Sequence, residues 1–172
     1  MNVLIRLWTM KDAPALVDIA NNRNVWNTVR DRFPFPYTEK DADEFIKLAN
    51  GKQPVENFCI EADGAVAGSI GVILFQQNYR KNVEIGYFIG ESFWGQGLAS
   101  EAVRLMLPYI YQTFDVVRLF GLVFEHNTSS MRVLEKNGFV LECIHQKAAL
   151  KNGVVLDEYV WVKFNTGHPD YE

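Results

Sequence analysis

Residues 84–102 constrain this chain more than any other stretch. Ile85, Tyr87 and Ile89 alternate at period two and predict a strand. Gly95 and Gly97 then bend the chain, and Leu98, Ala102, Leu105, Met106, Tyr109 and Ile110 follow at helical spacing. A strand, a glycine turn and a helix N-terminus together make an anion trap. The first-turn N–H groups have no intrahelical partner, and the helix dipole favours negative charge there. Phosphate is the guest such a turn suits.

The flanking sequence predicts a mixed sheet. Residues 3–7 read as a strand, and Thr9 with Asp12 forms a capping box before a helix carrying Ala13, Leu16, Val17, Ile19 and Ala20. Residues 24–30 read as a further short helix. Two prolines make residues 32–37 a stiff aromatic loop. Thr38 and Asp41 repeat the capping signature for a helix through Phe45, Ile46 and Leu48 that stops at Asn50-Gly51. Asp63-Gly64 is a hairpin turn between strands, and residues 83–89 give a third antiparallel strand. The long helix is expected over residues 96–113, with Pro108 kinking or breaking it. A strand at 117–124, a helix opened by Asn127 and closed at Asn137-Gly138, and a hairpin over 139–164 complete the order. The expectation is an α+β fold, a mixed and mostly antiparallel sheet flanked by helices. One domain over residues 1–172 is expected, with a frayed tail from Asn165.

Composition narrows the classes. The net charge is −4, with no basic stripe, which argues against nucleic-acid binding. Cys59 and Cys143 lie far apart, so neither a disulfide scaffold nor a zinc site is expected. No apolar run approaches the roughly 20 residues of a membrane span. A soluble, cytoplasmic protein is the expectation, with no metal.

The glycine turn has four readings. Gly95 and Gly97 could serve only to bend the chain. A P-loop needs a Lys and a hydroxyl residue after its last glycine, but Leu98-Ala99 follow Gly97. A dinucleotide fingerprint needs a third glycine, where Ser100 stands, and a parallel βαβ setting rather than an antiparallel lead-in. The fourth reading comes from resemblance. Trp94-x-x-Gly97-x-Ala99 resembles the Q/R-x-x-G-x-G/A acyl-CoA loop of the GNAT N-acetyltransferase superfamily, with Trp94 where the family prefers Gln or Arg. Asn127-x-x-Ser130 followed by Glu135-Lys136-x-Gly138-Phe139 resembles the downstream motif of the branch that includes ribosomal-protein N-terminal acetyltransferases.

That resemblance implies transfer of an acetyl group from acetyl-CoA to a primary amine by direct attack in a ternary complex. The backbone of Gln96, Gly97, Leu98, Ala99 and Ser100 would hold the pyrophosphate. Phe88 and Ile89, at the end of a strand splayed at Gly90, would take the pantetheine arm and aim the thioester carbonyl. Asn127 would be a coenzyme A ligand, a helix cap, or both. Glu84 would be the general base, or else a strand-end carboxylate paired to Arg80 or Lys81 or facing water. Ser130 would be the acid for the departing thiolate, or else a first-turn cap. Asp157 and Glu158 would attract a cationic amine or be exposed strand charges. His126 would be a base or merely positional beside the Asn127 cap, whereas His145 and His168 have no partner pattern. Arg30, Phe33 and Tyr37 would wall the acceptor pocket or form an apolar lid over the core. The branch implies a protein N-terminus as acceptor, with a polyamine, amino acid or antibiotic amine as the alternative. A non-catalytic acyl-CoA-binding module is the reading of another class. A monomer or homodimer is expected.

Overall fold

The computed structural model describes residues 2–171 and contains every long element the sequence predicts. The strands are β1 (Val3–Arg6), β2 (Asn57–Ala62), β3 (Ala65–Leu74), β4 (Asn82–Ile89), β5 (Arg118–Phe124), β6 (Val140–Lys151) and β7 (Val154–Phe164). The helices are α1 (Ala13–Ala20), α2 (Arg23–Trp26), α3 (Glu39–Asn50), α4 (Leu98–Thr113) and α5 (Thr128–Lys136). The seven strands hydrogen-bond in the order β1-β2-β3-β4-β5-β7-β6. β4 and β5 pair parallel, whereas β1–β2, β2–β3, β5–β7 and β6–β7 pair antiparallel. This is the α+β arrangement expected.

The chain divides by contacts into two compact units, one of residues up to Gly71 with Tyr87–Ala102, the other of Val72–Gly86 with residues from Val103 on. In the first unit, Asp63 and Gly64 take φ of 48° and 84°, the left-handed pair that matches the twist of an antiparallel hairpin. α1 and α3 pack together over a core that includes Trp8, Leu16, Ile46 and Cys59. Both predicted caps form. Thr9 donates its N–H and its hydroxyl to Asp12 Oδ2 at 2.8 and 3.0 Å, and Thr38 does the same to Asp41. α3 buries Ala42, Ile46 and Ala49, spaced as one helical face, while Leu48 is 69% exposed. The helix expected over 24–30 is a single turn, because Thr28 Oγ1 donates to the Val25 carbonyl at 2.8 Å and competes with its continuation.

In the second unit, the β4–β5 ladder covers Asn82↔Arg118, Val83↔Leu119 and Glu84↔Phe120. β5 then pairs with β7 along its whole length, from Arg118↔Phe164 to Phe124↔Glu158. α5 approaches β5 closely because Gly121 lacks a side chain; a Cβ there would stand 2.9 Å from Leu134 Cδ1. Gly138, at φ 78°, ends α5, with its N–H on the Glu135 carbonyl at 2.9 Å and Phe139 N–H on the Leu134 carbonyl at 3.1 Å. Asn152 and Gly153 turn the last hairpin at φ 53° and 76°. β6, apolar in sequence, lies exposed at the end of the sheet, with Val140 61% accessible.

Three further expectations are corrected. α4 starts at Leu98 rather than Gln96, since Gly97 at φ 79° cannot be helical. Pro108 does not break α4; it sits on the exposed face, where water can take the carbonyl left without a donor. Residues 165–171 are tied rather than frayed, and the last residue of the expected tail lies outside the described residues. Asn165 bonds the Val116 and Val117 carbonyls, His168 Nε2 lies 2.7 Å from Asp115, and Lys81 bridges Asp115 and Asp170 at 2.6 and 2.8 Å.

A part-buried ion-pair network ties β1 to the start of α1 and to β2. Arg6 meets Asp12 with two bonds of 2.8 and 2.9 Å and Glu61 with one of 2.5 Å. The Arg6 guanidinium holds the Asp12 carboxyl below its ordinary value of 3.8, helped by the Thr9 donors. A carboxyl depressed in the folded state stabilises above its unfolded pKa, and that contribution disappears as pH falls through the folded value. Asp12→Asn should therefore cost about 2 kcal/mol at pH 7. In urea titrations the gap between wild type and variant should close as pH falls below about 4.

Candidate active site

The turn at the heart of the first unit is open. Gly95 and Gly97 have φ of 75° and 79°, and a Cβ on either would meet nothing within 4 Å. Only glycine adopts this backbone without strain, and its bareness leaves room for a ligand against the main chain. Glu101 N–H to Gly97 carbonyl, 3.1 Å, is the first bond of α4. The N–H groups of Gln96, Gly97, Leu98 and Ala99 precede it, at the positive end of a helix of 16 residues. Gln96 and Gly97 are exposed, Ala99 and Ser100 half-buried, and Leu98 is buried as the anchor of the turn. The Gln96 side chain turns back to donate to the Ser92 carbonyl at 3.2 Å, so its backbone faces outward unobstructed by its own amide.

Gly90, at the strand end before the turn, is buried against Ile19, where a Cβ would stand 2.8 Å from Ile19 Cβ, and its N–H donates to the Ala67 carbonyl at 2.9 Å. A 3₁₀ turn, Glu91–Phe93, follows. Phe88 and Ile89 do not share one role. The Phe88 carbonyl lies on the β3 side, 2.2 Å from where a Gly68 Cβ would stand. Strand alternation then puts the Ile89 N–H and carbonyl on the edge away from β3. The Ile89 carbonyl is already engaged, accepting from Trp94 Nε1 at 2.8 Å. Of the two residues, only the Ile89 N–H is left as an outward donor.

The aromatic loop also lies in the first unit. Phe33 packs on Tyr37 with centroids 5.0 Å apart and meets Phe88 edge-on at 5.1 Å. Trp26 Nε1 donates to the Phe33 carbonyl at 3.2 Å, and Arg23 lies 4.7 Å from the Trp26 ring centroid and 5.3 Å from that of Phe35. Tyr37 is 5% exposed, and burial raises the pKa of its phenol. It belongs to the core of this unit, as the lid alternative for the aromatic loop has it. Phe33 and Arg30 are half-exposed.

In the second unit, Glu84 is 8% exposed at the last rung of the β4–β5 ladder, and it is not without a partner. It does not face water, and Lys81 spends its ammonium on Asp115 and Asp170. Asn127 caps α5, its Oδ1 accepting from Ser130 N–H at 3.2 Å. It is thus the Asn127 side chain that satisfies the helix end. His126 is exposed and stacks on Phe124. Asp157 is occupied by Lys147 N–H at 2.9 Å and by its ammonium at 3.3 Å, and Glu158 lies 3.8 Å from His145. Among the described residues no group of three or more His, Cys, Asp or Glu side chains is placed to hold a metal, and no helix is long and apolar enough to cross a membrane.

Sequence reasoning missed two contacts at the turn: Trp94 on Ile89, and Glu91, whose Oε2 and Oε1 accept from Asn22 Nδ2 at 2.7 Å and Asn24 Nδ2 at 2.8 Å. The anomaly at Trp94 was a usable signal. Glu91 gave none, because its partners lie 69 and 67 residues away.

The probable N-acetyltransferase YjcK of Bacillus subtilis (strain 168) is 34% identical over 111 residues, 64% of this chain and 60% of YjcK. The spermidine N(1)-acetyltransferase of Escherichia coli (strain K12) is 24% identical over 147 residues, 82% of this chain and 74% of that protein. In fold, the chain superimposes with a TM-score of 0.82 and 20% identity on RimL, a ribosomal α-N-protein acetyltransferase solved in complex with coenzyme A, covering 95% of this chain and 94% of that one. The acetyltransferase (GNAT) domain model matches residues 2–140, so the chain belongs to the GNAT acetyltransferase family.

Proposed function

We propose that this protein is an acetyl-CoA-dependent N-acetyltransferase whose acceptor is a protein N-terminal α-amine. The observation that carries the reading is the open glycine turn at the head of α4, with bare backbone donors and left-handed Gly95 and Gly97. Membership of the GNAT family supplies the donor. The acceptor rests on the likeness to RimL and on the branch motif at Asn127 to Phe139.

Acetyl-CoA brings the acetyl group as a thioester, in which the amine replaces the sulfur. The backbone N–H groups of residues 96–100 hold the pyrophosphate, and Asn127 adds a contact from its cap position. The Ile89 N–H polarises the thioester carbonyl, and Phe88 shapes the strand end through its ring. Glu84 takes the proton of the attacking ammonium, directly or through water; buried carboxylates at a strand end suit this work. As the C–S bond breaks, Ser130 gives its hydroxyl proton to the departing sulfur and regains one from the newly bonded nitrogen, leaving an amide and a free thiol. A protein α-amine, with a pKa of about 8, gives up its proton more readily than a lysine side chain at about 10.4. Arg30 and Phe33 contact the acceptor. The spermidine acetyltransferase likeness favours a second reading, a small polyamine acceptor.

A thiol-release screen across N-terminal peptides and small amines decides between them. Fastest turnover with peptides supports the first reading, and fastest turnover with polyamines the second. Coenzyme A binding without thiol release for any acceptor would leave a non-catalytic binding module.

Gly97→Asp sets a side chain and a negative charge where the diphosphate lies, and a backbone at φ 79° resists it as well. Calorimetry should show coenzyme A affinity lost by at least about 100-fold in a folded variant; unchanged affinity removes the turn from the site. Glu84→Gln should keep coenzyme A affinity and lower kcat by about 100-fold, most severely at low pH, where less amine is free. A Glu84→Gln enzyme with the wild-type pH–rate profile would show that Glu84 is not the base.

A further inference from the structure

The glycine turn is open to a ligand, and the segment that leads into it, residues 90–94, is held by contacts of its own. Gly90 is pressed against Ile19 and bonded to Ala67. Glu91 has each carboxylate oxygen held by a separate amide, one from the residue before α2 and one from within it, at 2.7 and 2.8 Å. Asn22 is fixed in turn, because its Oδ1 accepts from the Asn24 and Val25 N–H groups at 2.8 and 3.1 Å. Trp94 closes the segment by donating its indole N–H to the Ile89 carbonyl at 2.8 Å, across five residues.

We propose that Trp94 and Glu91 are positioning residues that hold the backbone donors of the glycine turn in their diphosphate-binding arrangement before the ligand arrives; this rests on the coenzyme A reading above. Trp94 spends its only hydrogen-bond donor inside the protein. Its part is to tie the end of β4 to the start of the turn, which a Gln or Arg side chain at this position would not do through a rigid ring. Glu91 places a negative charge a few residues from an anion site. On electrostatics alone that charge weakens binding. Its two amide partners indicate a different use, a clasp that fixes the 3₁₀ turn to α2. A loop ordered in advance does not lose its conformational freedom on binding, and affinity for the part of the ligand it grips rises accordingly.

The two roles of Glu91 give opposite signs. Coenzyme A and pantetheine, which lacks the diphosphate, are titrated calorimetrically into wild type, Trp94→Phe and Glu91→Gln. Trp94→Phe keeps a ring and removes the donor; Glu91→Gln removes the charge and one acceptor. Each variant should bind coenzyme A about fivefold more weakly, the worth of one hydrogen bond, with pantetheine affinity unchanged. Tighter coenzyme A binding by Glu91→Gln, wild-type affinity in Trp94→Phe, or equal weakening for both ligands overturns the proposal. Should Trp94→Phe fail to fold, Glu91→Gln decides, since Glu91 is exposed. A wild-type protein that binds no coenzyme A overturns the earlier reading, and this one with it; normal wild-type binding with unaffected variants overturns this one alone.

Discussion

The structure turns on two left-handed glycines. Gly95 and Gly97 sit at φ of 75° and 79°, a backbone that side-chain-bearing residues reach only at a cost of about 1 kcal/mol or more. Between them the chain stops being extended and becomes helical. Because Gly97 is not helical, α4 begins at Leu98, and Leu98 is the first residue able to bury its side chain. The N–H groups that precede the first helical bond are thereby left at the surface, pointing where no side chain stands. The same constraint sets the start of the helix and creates the anion site.

What surrounds the turn is rigid for ordinary reasons. Gly90 lets β4 approach α1 as closely as backbone contact allows. Phe33, Tyr37 and Phe88 form a ring cluster that joins the aromatic loop to the strand end. Arg6, Asp12 and Glu61 fix β1 to the beginning of α1 and to β2. None of these contacts is chemical in purpose. Together they give the turn a fixed base, and a site made of main-chain donors needs such a base because it has no side chains of its own to adjust.

The sequence showed local features well and burial poorly. Both capping boxes, the Asp63-Gly64 hairpin turn and the Gly138 stop were legible, since each depends on residues within four positions of one another. Apolar character alone does not place Leu48 or β6. Leu48 falls off the face shared by Ala42, Ile46 and Ala49, and β6 lies at the end of the sheet, where no further strand covers it. For Tyr37 the sequence left a pocket wall and an apolar lid over the core open; burial against Phe33 favours the lid.

By itself, then, the sequence determined the order of elements, the glycine turn, the caps and the family. Residue type and short spacing dictate those through backbone sterics and hydrogen bonding within a turn or two. Only the tertiary structure decided which backbone groups remain available. It committed Phe88 to β3, engaged the Ile89 carbonyl with Trp94, made Asn127 the cap over Ser130, and brought Asn22 and Asn24 to Glu91. Such assignments depend on partners brought together by folding, some of them more than sixty residues apart. No local pattern encodes that distance, because packing, not sequence spacing, determines which donor meets which acceptor.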